Sequence, residues 1–185
     1  MGSARQGLRS RWVPNLLTLA NRLDADARCC RAVVETPQGS RSKYDYDPDS
    51  GLFELAAVLP AGVAFPLAFG FVPGTLGEDG DPLDTLILSD EALPIGALVT
   101  VKLLGVIEAL QTEDGETVRN DRLLGKVEKS HTWADVETVE QLGEAFTRDL
   151  SLFFETYNRL RDRGFDTTRI EGPKRACALI ESASR

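Results

Sequence analysis

The hydrophobic positions of this chain follow two different periods. Up to residue 127, apolar residues come in short runs separated by Gly, Pro, Asp and Ser, which is typical of short β-strands joined by turns. Over residues 138–161 they recur at a spacing of about 3.6, which predicts an amphipathic helix, and residues 173–184 predict a second one. The pattern therefore predicts an α+β fold, with a small barrel of strands and helices laid on its outside.

One predicted hairpin combines aromatic and charged residues. Its arms are residues 42–47 and 52–55, joined by a turn rich in Pro, Asp, Ser and Gly. Period-2 alternation places Lys43, Asp45 and Asp47 on one face and Tyr44 and Tyr46 on the other. From alternation alone, the charged face is expected to be exposed to solvent.

The N-terminal region has a different character. Residues 1–11 are polar and basic, and we expect them to be disordered. Apolar residues at helical spacing after Pro14 predict a short amphipathic helix over residues 12–23, within a helical extension that reaches residue 28. Its apolar stripe either covers the core or contacts another subunit, and the sequence does not decide between the two.

Length and composition narrow the class of protein. A chain of 185 residues with 42% hydrophobic and 27% charged residues is expected to form one soluble globular domain over residues 1–185. The net charge of −8 disfavours nucleic acid as a partner. No apolar run has the length of a membrane span or the form of a secretory signal, so we expect a cytoplasmic protein without a membrane partner. The three cysteines form neither a disulfide framework nor a zinc pattern.

An acidic loop at residues 79–84 carries the most specific chemistry. Asp79, Asp81 and Asp84 lie within six residues, directly before an apolar run that predicts a strand. Carboxylates this close repel one another, so a divalent cation among them would be stabilising. The alternatives are an acidic turn before a strand or a calcium loop, although the later Glu of a helix-loop-helix calcium site is missing.

Further motifs accompany the acidic loop between about Val33 and the C-terminal helix. In chain order the set is Glu35, Lys43-Tyr44-Asp45, Gly70-Phe71-Val72-Pro73-Gly74-Thr75, Asp79-Gly80-Asp81-Pro82-Leu83-Asp84 and Phe153-Phe154-Glu155-Thr156-Tyr157. With this set the sequence resembles the soluble inorganic pyrophosphatases of the OB-fold type. The resemblance implies a five-stranded OB-fold-like β-barrel with flanking α-helices, and Mg²⁺-dependent hydrolysis of inorganic pyrophosphate to two phosphates. It also implies a homo-oligomer, often a hexamer in bacteria.

The same resemblance implies roles for single residues. Asp81 matches the base that orients a metal-bound water, and Lys43 and Tyr157 complete the catalytic set. The implied phosphate contacts are Lys43, Tyr44, Arg122 and Tyr157. The implied metal ligands are Asp79, Asp84, Glu35, Glu113 and Asn120, with Asp121 or Asp114 as alternatives to Asn120. With the charged face of the hairpin directed at substrate, Lys43 is no longer expected to be solvated.

The sequence also departs from the family pattern. Ala57 stands at the position of a phosphate-binding Arg, Phe65 and Phe69 stand where the family has Tyr, and Asn158 stands where it has Lys. Arg22, Arg119 and Arg122 are candidates to compensate. Three hypotheses follow: a pyrophosphatase with reduced activity, a related phosphoanhydride hydrolase with an altered substrate, or a catalytically inactive scaffold.

Overall fold

The computed structural model of the protein describes residues 15–185, which form nine strands and two α-helices. The strands are β1 Cys29–Thr36, β2 Ser42–Asp47, β3 Leu52–Val58, β4 Ala68–Phe71, β5 Asp84–Leu88, β6 Leu98–Glu113, β7 Glu116–Arg119, β8 Arg122–Val127 and β9 Gly164–Glu171. The helices are α1 Glu144–Arg159 and α2 Pro173–Ala183. None of the helices within residues 15–185 has the length and apolar character needed to cross a membrane.

Five of the strands close into a ring. Strand β1 pairs with β4, β4 with β5, β5 with β8, β8 with β6, and β6 returns to β1. Only the β5–β8 pair in this ring is parallel. Strands β7 and β9 extend the sheet from β6, while β2 and β3 form a separate two-stranded sheet. The predicted five-stranded barrel with flanking helices is therefore confirmed.

Strand β6 takes part both in the ring and in the extension formed by β7 and β9, and it contains a bulge. The pairing of β6 with β8 shifts register between Leu103 and Gly105. A Cβ at Gly105 would lie 2.5 Å from the carbonyl oxygen of Glu171, so the approach of β9 requires glycine here. The bulge therefore lies directly before Val106, where β6 begins to pair with β9.

Helix α1 closes one side of the barrel with an aromatic cluster. Leu150, Phe154 and Tyr157 recur at four- and three-residue spacing, so they share one face and are buried. Their partners from the chain before β4 and from β4 itself are Phe65 and Phe69, with ring centroids 5.7 Å apart for Phe65 and Tyr157. This packing fixes the C-terminal end of α1 beside the mouth of the barrel.

The structure corrects the prediction for the first of the two C-terminal helices. The helix predicted over residues 138–161 is interrupted, because Gly143 has a φ of +84° and separates a 3-10 turn at Val139–Leu142 from α1. Strands β4, β7 and β9 were not predicted. The helix predicted over residues 173–184 is present as α2.

The predicted N-terminal helix is wrong for the part that is described. Only Leu16–Thr18 forms a short 3-10 turn, and residues 19–28 contain no helix. The carbonyl oxygens of Leu17 and Asn21 accept hydrogen bonds from the backbone of Gly74 and Arg31, at 2.7 Å each, so they cannot serve a helix. Residues 12–14 of the predicted helix, and the predicted disorder of residues 1–11, lie outside the described residues.

The residues after α2 contact the segment that leads into the acidic loop. The backbone nitrogen of Leu76 donates to the carbonyl oxygen of Ala183 at 2.9 Å, and that of Arg185 donates to Gly74 at 3.0 Å. Thr75 and Ser184 form the β-bridge between these hydrogen bonds. The position of residues 74–76 therefore depends on the other end of the described chain.

Candidate active site

A cavity of about 850 Å³ opens between the β2–β3 hairpin, the acidic loop, the β6–β7 hairpin and the C-terminal end of α1. Nine of the ten residues that the sequence assigned to a site line it: Glu35, Lys43, Asp79, Asp81, Asp84, Glu113, Asn120, Arg122 and Tyr157. The tenth, Tyr44, does not line this cavity. The structure thus gathers side chains from distant parts of the sequence.

Short hydrogen bonds hold the acidic loop in place. The backbone nitrogen of Gly77 donates to the carbonyl oxygen of Asp81 at 2.7 Å, and the backbone nitrogen of Asp81 donates to Oδ1 of Asp79 at 3.2 Å. Gly80 turns the chain at a φ of +90°. The buried hydroxyl of Thr75 accepts from the backbone of Leu83 at 3.0 Å. The loop therefore presents its carboxylates from a fixed turn at the start of β5.

Four carboxyl groups form what we call the acidic wall: Glu35, Asp79, Asp81 and Asp84. Burial raises the pKa of Glu35 to about 8, although the backbone N–H of Tyr46 opposes the shift. Burial also raises the pKa of Asp84 to about 6 and that of Asp79 above its ordinary value, and neighbouring carboxylates add to both shifts. The wall is therefore short of positive charge.

Arg122 is the cation that contacts this wall. Its Nη1 forms an ion pair with Oδ2 of Asp84 at 2.7 Å and also donates to the side chain of Asn120. The Arg122 side chain is only 6% exposed, and its guanidinium lies 5.4–5.9 Å from three ring centroids, those of Phe69, Phe154 and Phe165. Stacking and burial fix this charge at one position.

The basic residues of the cavity form a second surface, the cationic wall, defined as Lys43, Arg122, Arg161 and Arg163. Lys43 forms an ion pair with Asp45, and Arg163 forms one with Glu113 at 2.5 Å. Burial lowers the pKa of Lys43, but the surrounding negative groups, with Asp45 first, raise it by more. Lys43 therefore stays protonated, and its charge is partly neutralised by its neighbour.

The predicted metal ligands fit a hard divalent cation by their chemistry. They supply carboxylate and amide oxygens around one cavity, and the raised pKa values of Glu35, Asp79 and Asp84 show that a cation there would be stabilising. Within residues 15–185, however, no three acidic, His or Cys side chains converge into a preassembled cluster. Three of the predicted ligands are engaged by protein cations. Asp84 pairs with Arg122, Glu113 pairs with Arg163, and Oδ1 of Asn120 accepts a hydrogen bond from Arg122.

The alternatives to Asn120 separate in the structure. Asn120 and Asp114 line the cavity. The carboxylate of Asp121 instead accepts hydrogen bonds from the backbone of Ala109 at 3.1 Å and from Arg119 at 2.6 Å. Asp121 therefore has its acceptor capacity committed, and it borders an adjacent cavity of about 320 Å³.

Two of the three basic residues expected to compensate for missing phosphate contacts are not in the cavity. Arg119 pairs with Glu108 and Asp121 and borders the adjacent cavity. Arg22 is exposed, has a φ of +50° and does not line the cavity. Of the three, only Arg122 is a lining residue.

Three of the four residues that depart from the expected pattern line the cavity. Phe65 and Phe69 line it with their rings, whose centroids lie 5.8 Å apart. Asn158 is buried, and its side-chain nitrogen donates back to the carbonyl oxygen of Phe154 at 2.9 Å. Ala57 lies opposite Lys43 in the hairpin and does not line the cavity. Two rings and an amide that bonds within its own helix therefore stand where the resemblance implies polar phosphate contacts.

Arg161 and Arg163 were missed by the sequence reasoning. Both line the cavity from the turn that follows α1. Arg161 lies four residues after Tyr157, and Nη1 of Arg161 donates to the Tyr157 hydroxyl at 2.6 Å. The four-residue helical spacing was the signal that pointed to this contact.

Comparisons with known proteins agree with this arrangement. A family model described as "Inorganic pyrophosphatase" matches residues 32–185. An inorganic pyrophosphatase of Thermus thermophilus is 34% identical over 149 residues, which is 80% of this chain and 83% of that protein. One from Helicobacter pylori is 33% identical and covers 91% of this chain and 96% of its own. The crystal structure of the Thermus thermophilus protein matches with a TM-score of 0.82 at 31% identity, over 92% of this chain and 97% of that one.

Proposed function

The chain belongs to the inorganic pyrophosphatase family, and on that basis we propose that it hydrolyses inorganic pyrophosphate to two phosphates with Mg²⁺ as its divalent cation. The observation that carries the proposal is the single cavity in which the acidic wall faces Lys43, Arg122 and Tyr157. Carboxylates for a hard cation and cations for phosphate oxygens are the two sets of groups that this hydrolysis needs.

A bound divalent cation would supply charge neutralisation at the phosphate oxygens and a lowered pKa for the attacking water. In our proposal the residues that would hold divalent cations are Asp79, Asp84, Glu35, Glu113 and Asn120, which all line the cavity. Carboxylate-rich sites of this kind suit Mg²⁺, which prefers oxygen ligands and keeps several of its waters.

Asp81 is proposed as the general base. It lies at the cavity in the fixed turn described above, with its backbone nitrogen bonded to Asp79. As Asp81 accepts a proton from water, the water oxygen forms a bond to one phosphorus atom. The bond from that phosphorus to the bridging oxygen breaks, and the second phosphate leaves with the electron pair.

Lys43, Arg122 and Tyr157 are proposed to bind the phosphate groups during this reaction. Arg122 is held rigidly by its aromatic neighbours, so its charge needs little reorganisation as the transition state forms. Tyr157 is 6% exposed and carries its hydroxyl at the cavity edge. Tyr44 does not line the cavity, so we do not include it among these phosphate contacts.

We further propose that residues 1–185 act as one domain in the cytoplasm, as a homo-oligomer of six copies, without nucleic acid or membrane partners. The net charge of −8 supports the absence of nucleic acid. Strand β3 exposes Leu52, Leu55 and Val58, which offers an apolar surface to a second copy of the chain. Sedimentation velocity over a range of concentrations tests the assembly.

The decisive experiment is phosphate release from pyrophosphate with and without Mg²⁺. We expect Mg²⁺-dependent release by the wild type and a loss of roughly 100-fold or more in Asp81→Ala. Asp149→Asn, which changes an exposed carboxylate on α1, is the matched control and should retain activity. Nucleoside triphosphates are assayed alongside. Release from these but not from pyrophosphate would replace our proposal with a related phosphoanhydride hydrolase, and release from neither would indicate a scaffold.

A further inference from the structure

Four basic side chains line the cavity within residues 15–185, and three of them are paired with a carboxylate. Lys43 pairs with Asp45, Arg122 with Asp84, and Arg163 with Glu113. Arg161 is the exception: it makes no ion pair in the described part of the chain. Its charge is therefore the one that an incoming anion can neutralise without first displacing a carboxylate.

The backbone positions Arg161 at the cavity. The carbonyl oxygen of Asn158 accepts hydrogen bonds from the backbone nitrogens of Arg161 at 2.8 Å and Arg163 at 3.0 Å. Between these two residues, Asp162 has a φ of +59°, which reverses the chain after α1. The turn thus brings both arginines to the same cavity, while one of them is neutralised by Glu113.

Tyr157 orients the guanidinium of Arg161. The Nη1 of Arg161 donates to the Tyr157 hydroxyl at 2.6 Å, and its Cζ lies 5.4 Å from the Tyr157 ring centroid. The ring is itself fixed, because it stacks on Phe153 at 6.1 Å and packs against Phe65 at 5.7 Å. A guanidinium has five N–H donors, so this contact leaves others for a ligand.

We propose that Arg161, oriented by Tyr157, is a further side chain that binds a phosphate group of the substrate in this cavity. The ligand class is the charged phosphoryl group of pyrophosphate or of a related phosphoanhydride, because a planar fork of donors matches phosphate oxygens. This proposal rests on the proposed function for its substrate, but its binding step is measurable without turnover.

The kinetic test compares three variants. Arg161→Ala should raise KM for Mg²⁺-pyrophosphate by roughly 10- to 100-fold, as expected for loss of a charge-assisted hydrogen bond. Arg161→Lys retains the charge without the fork and should recover part of this loss. Arg159→Ala is the matched control, because Arg159 is an exposed residue at the end of the same helix and does not line the cavity. Circular dichroism verifies that each variant is folded.

The binding test uses imidodiphosphate, a pyrophosphate analogue whose bridging group is not an oxygen, titrated calorimetrically with Mg²⁺. We expect Arg161→Ala to weaken its binding by the same factor as the change in KM. Tyr157→Phe should weaken it less, and combining it with Arg161→Ala should give less than the sum of the two losses, because part of the effect of the hydroxyl is exerted through the guanidinium that it orients.

The outcomes separate this inference from the proposed function. If the wild type releases phosphate from pyrophosphate while Arg161→Ala leaves KM and analogue binding unchanged, the inference is wrong and the proposed function stands. An equal loss in Arg159→Ala would also overturn it, because a general effect of surface charge would then explain the result. If the wild type is inactive but binds the analogue through Arg161, the proposed function fails and the binding site remains.

Discussion

The acidic wall and the cationic wall differ in how their charges are compensated. In the acidic wall, burial raises the pKa values of Glu35, Asp79 and Asp84, and neighbouring carboxylates add to these shifts. In the cationic wall, every member except Arg161 already has a carboxylate partner. The acidic wall therefore lacks counter-cations, whereas most side chains of the cationic wall are already paired with a carboxylate.

This difference indicates how the binding of a divalent cation and the binding of phosphate depend on each other. The acidic wall gains stability from a cation whether or not substrate is present. Phosphate must compete with Asp45 and Glu113 for Lys43 and Arg163, so its affinity should depend strongly on cations bound with it. Arg122 connects the two walls. It belongs to the cationic wall, and its ion pair with Asp84 neutralises part of the negative charge of the acidic wall.

The largest effect is expected when the acidic wall loses Asp84. Asp84→Ala should lower activity by roughly 1,000-fold, since it removes a proposed metal ligand, as measured by phosphate release. It also leaves the buried guanidinium of Arg122 without its carboxylate, which should cost about 3 kcal/mol in urea unfolding. Asp45→Ala removes a half-exposed carboxylate and should cost under about 1 kcal/mol. Equal losses of unfolding free energy in Asp84→Ala and Asp45→Ala would show that the ion pairs of the two walls contribute equally to stability.

Removing the guanidinium of Arg122, which contacts the acidic wall, tests whether it competes with a metal for Asp84. Arg122→Met keeps much of the packing against Phe69, Phe154 and Phe165 but removes the charge. We expect kcat/KM to fall roughly 100-fold through loss of a phosphate contact. The affinity for Mg²⁺, measured calorimetrically without substrate, should rise because Asp84 is released. A fall in Mg²⁺ affinity would contradict competition between the guanidinium and the metal.

The pH dependence of stability tests the charge deficit of the acidic wall. The folded state holds a proton on Glu35 up to a pKa of about 8, whereas the ordinary value is 4.5. Between these values the folded state binds more protons, so the unfolding free energy should fall as pH rises, by a few kcal/mol at about 1.4 kcal/mol per unit. Asp84, with its pKa of about 6, contributes in the same direction over the lower part of this window.

The measurement is urea unfolding in a metal chelator from pH 4.5 to 8. Glu35→Gln should reduce the fall without abolishing it, because Asp84 still titrates, and saturating Mg²⁺ should reduce it in the wild type. Glu54→Gln, which changes an exposed carboxylate on β3, is the control and should behave as the wild type does. A wild-type stability that rises over this window would contradict the raised pKa values.

The smallest expected effect comes from adding a charge to the cationic wall. Ala57 lies opposite Lys43 on the hairpin, so Ala57→Arg places a new cation near Asp45. A second cation should weaken the hold of Asp45 on Lys43 and lower KM for pyrophosphate by up to about tenfold, in steady-state kinetics. Ala56→Arg, at the neighbouring exposed position, should leave KM unchanged. An unchanged KM in Ala57→Arg would mean that this part of the wall does not limit binding.

The ring of strands was predictable because most of its members carry a clear period or a continuous apolar run. Strand β9 was not, since only Phe165 is fully buried along it and Ile170 is its one other large apolar side chain. Pairing with β6, rather than its own pattern, makes residues 164–171 a strand. Strand β4 has all four residues buried and no alternation, in a segment rich in Gly and Pro that suggested turns.

The residues of the site also divide into those that the sequence predicts and those that only the fold brings together. The acidic loop was predictable because its three carboxylates are close in sequence. The pairing of Arg122 with Asp84 was not, because it arises from the parallel pairing of β5 with β8, which sets these residues directly opposite each other. The role of Asp121 was also open, since only the structure shows that its carboxylate is committed to Arg119 and the backbone of Ala109.

The bridge between Thr75 and Ser184 has a consequence for hydrogen exchange. The amides of Leu76 and Arg185 are bonded across it, so neither exchanges unless the two strands separate. Their deuterium uptake should rise together when the end of α2 detaches, and the segment leading into the acidic loop is then released in the same opening. The region that presents Asp79 and Asp81 thus shares one local unfolding unit with residues a hundred positions away in the chain.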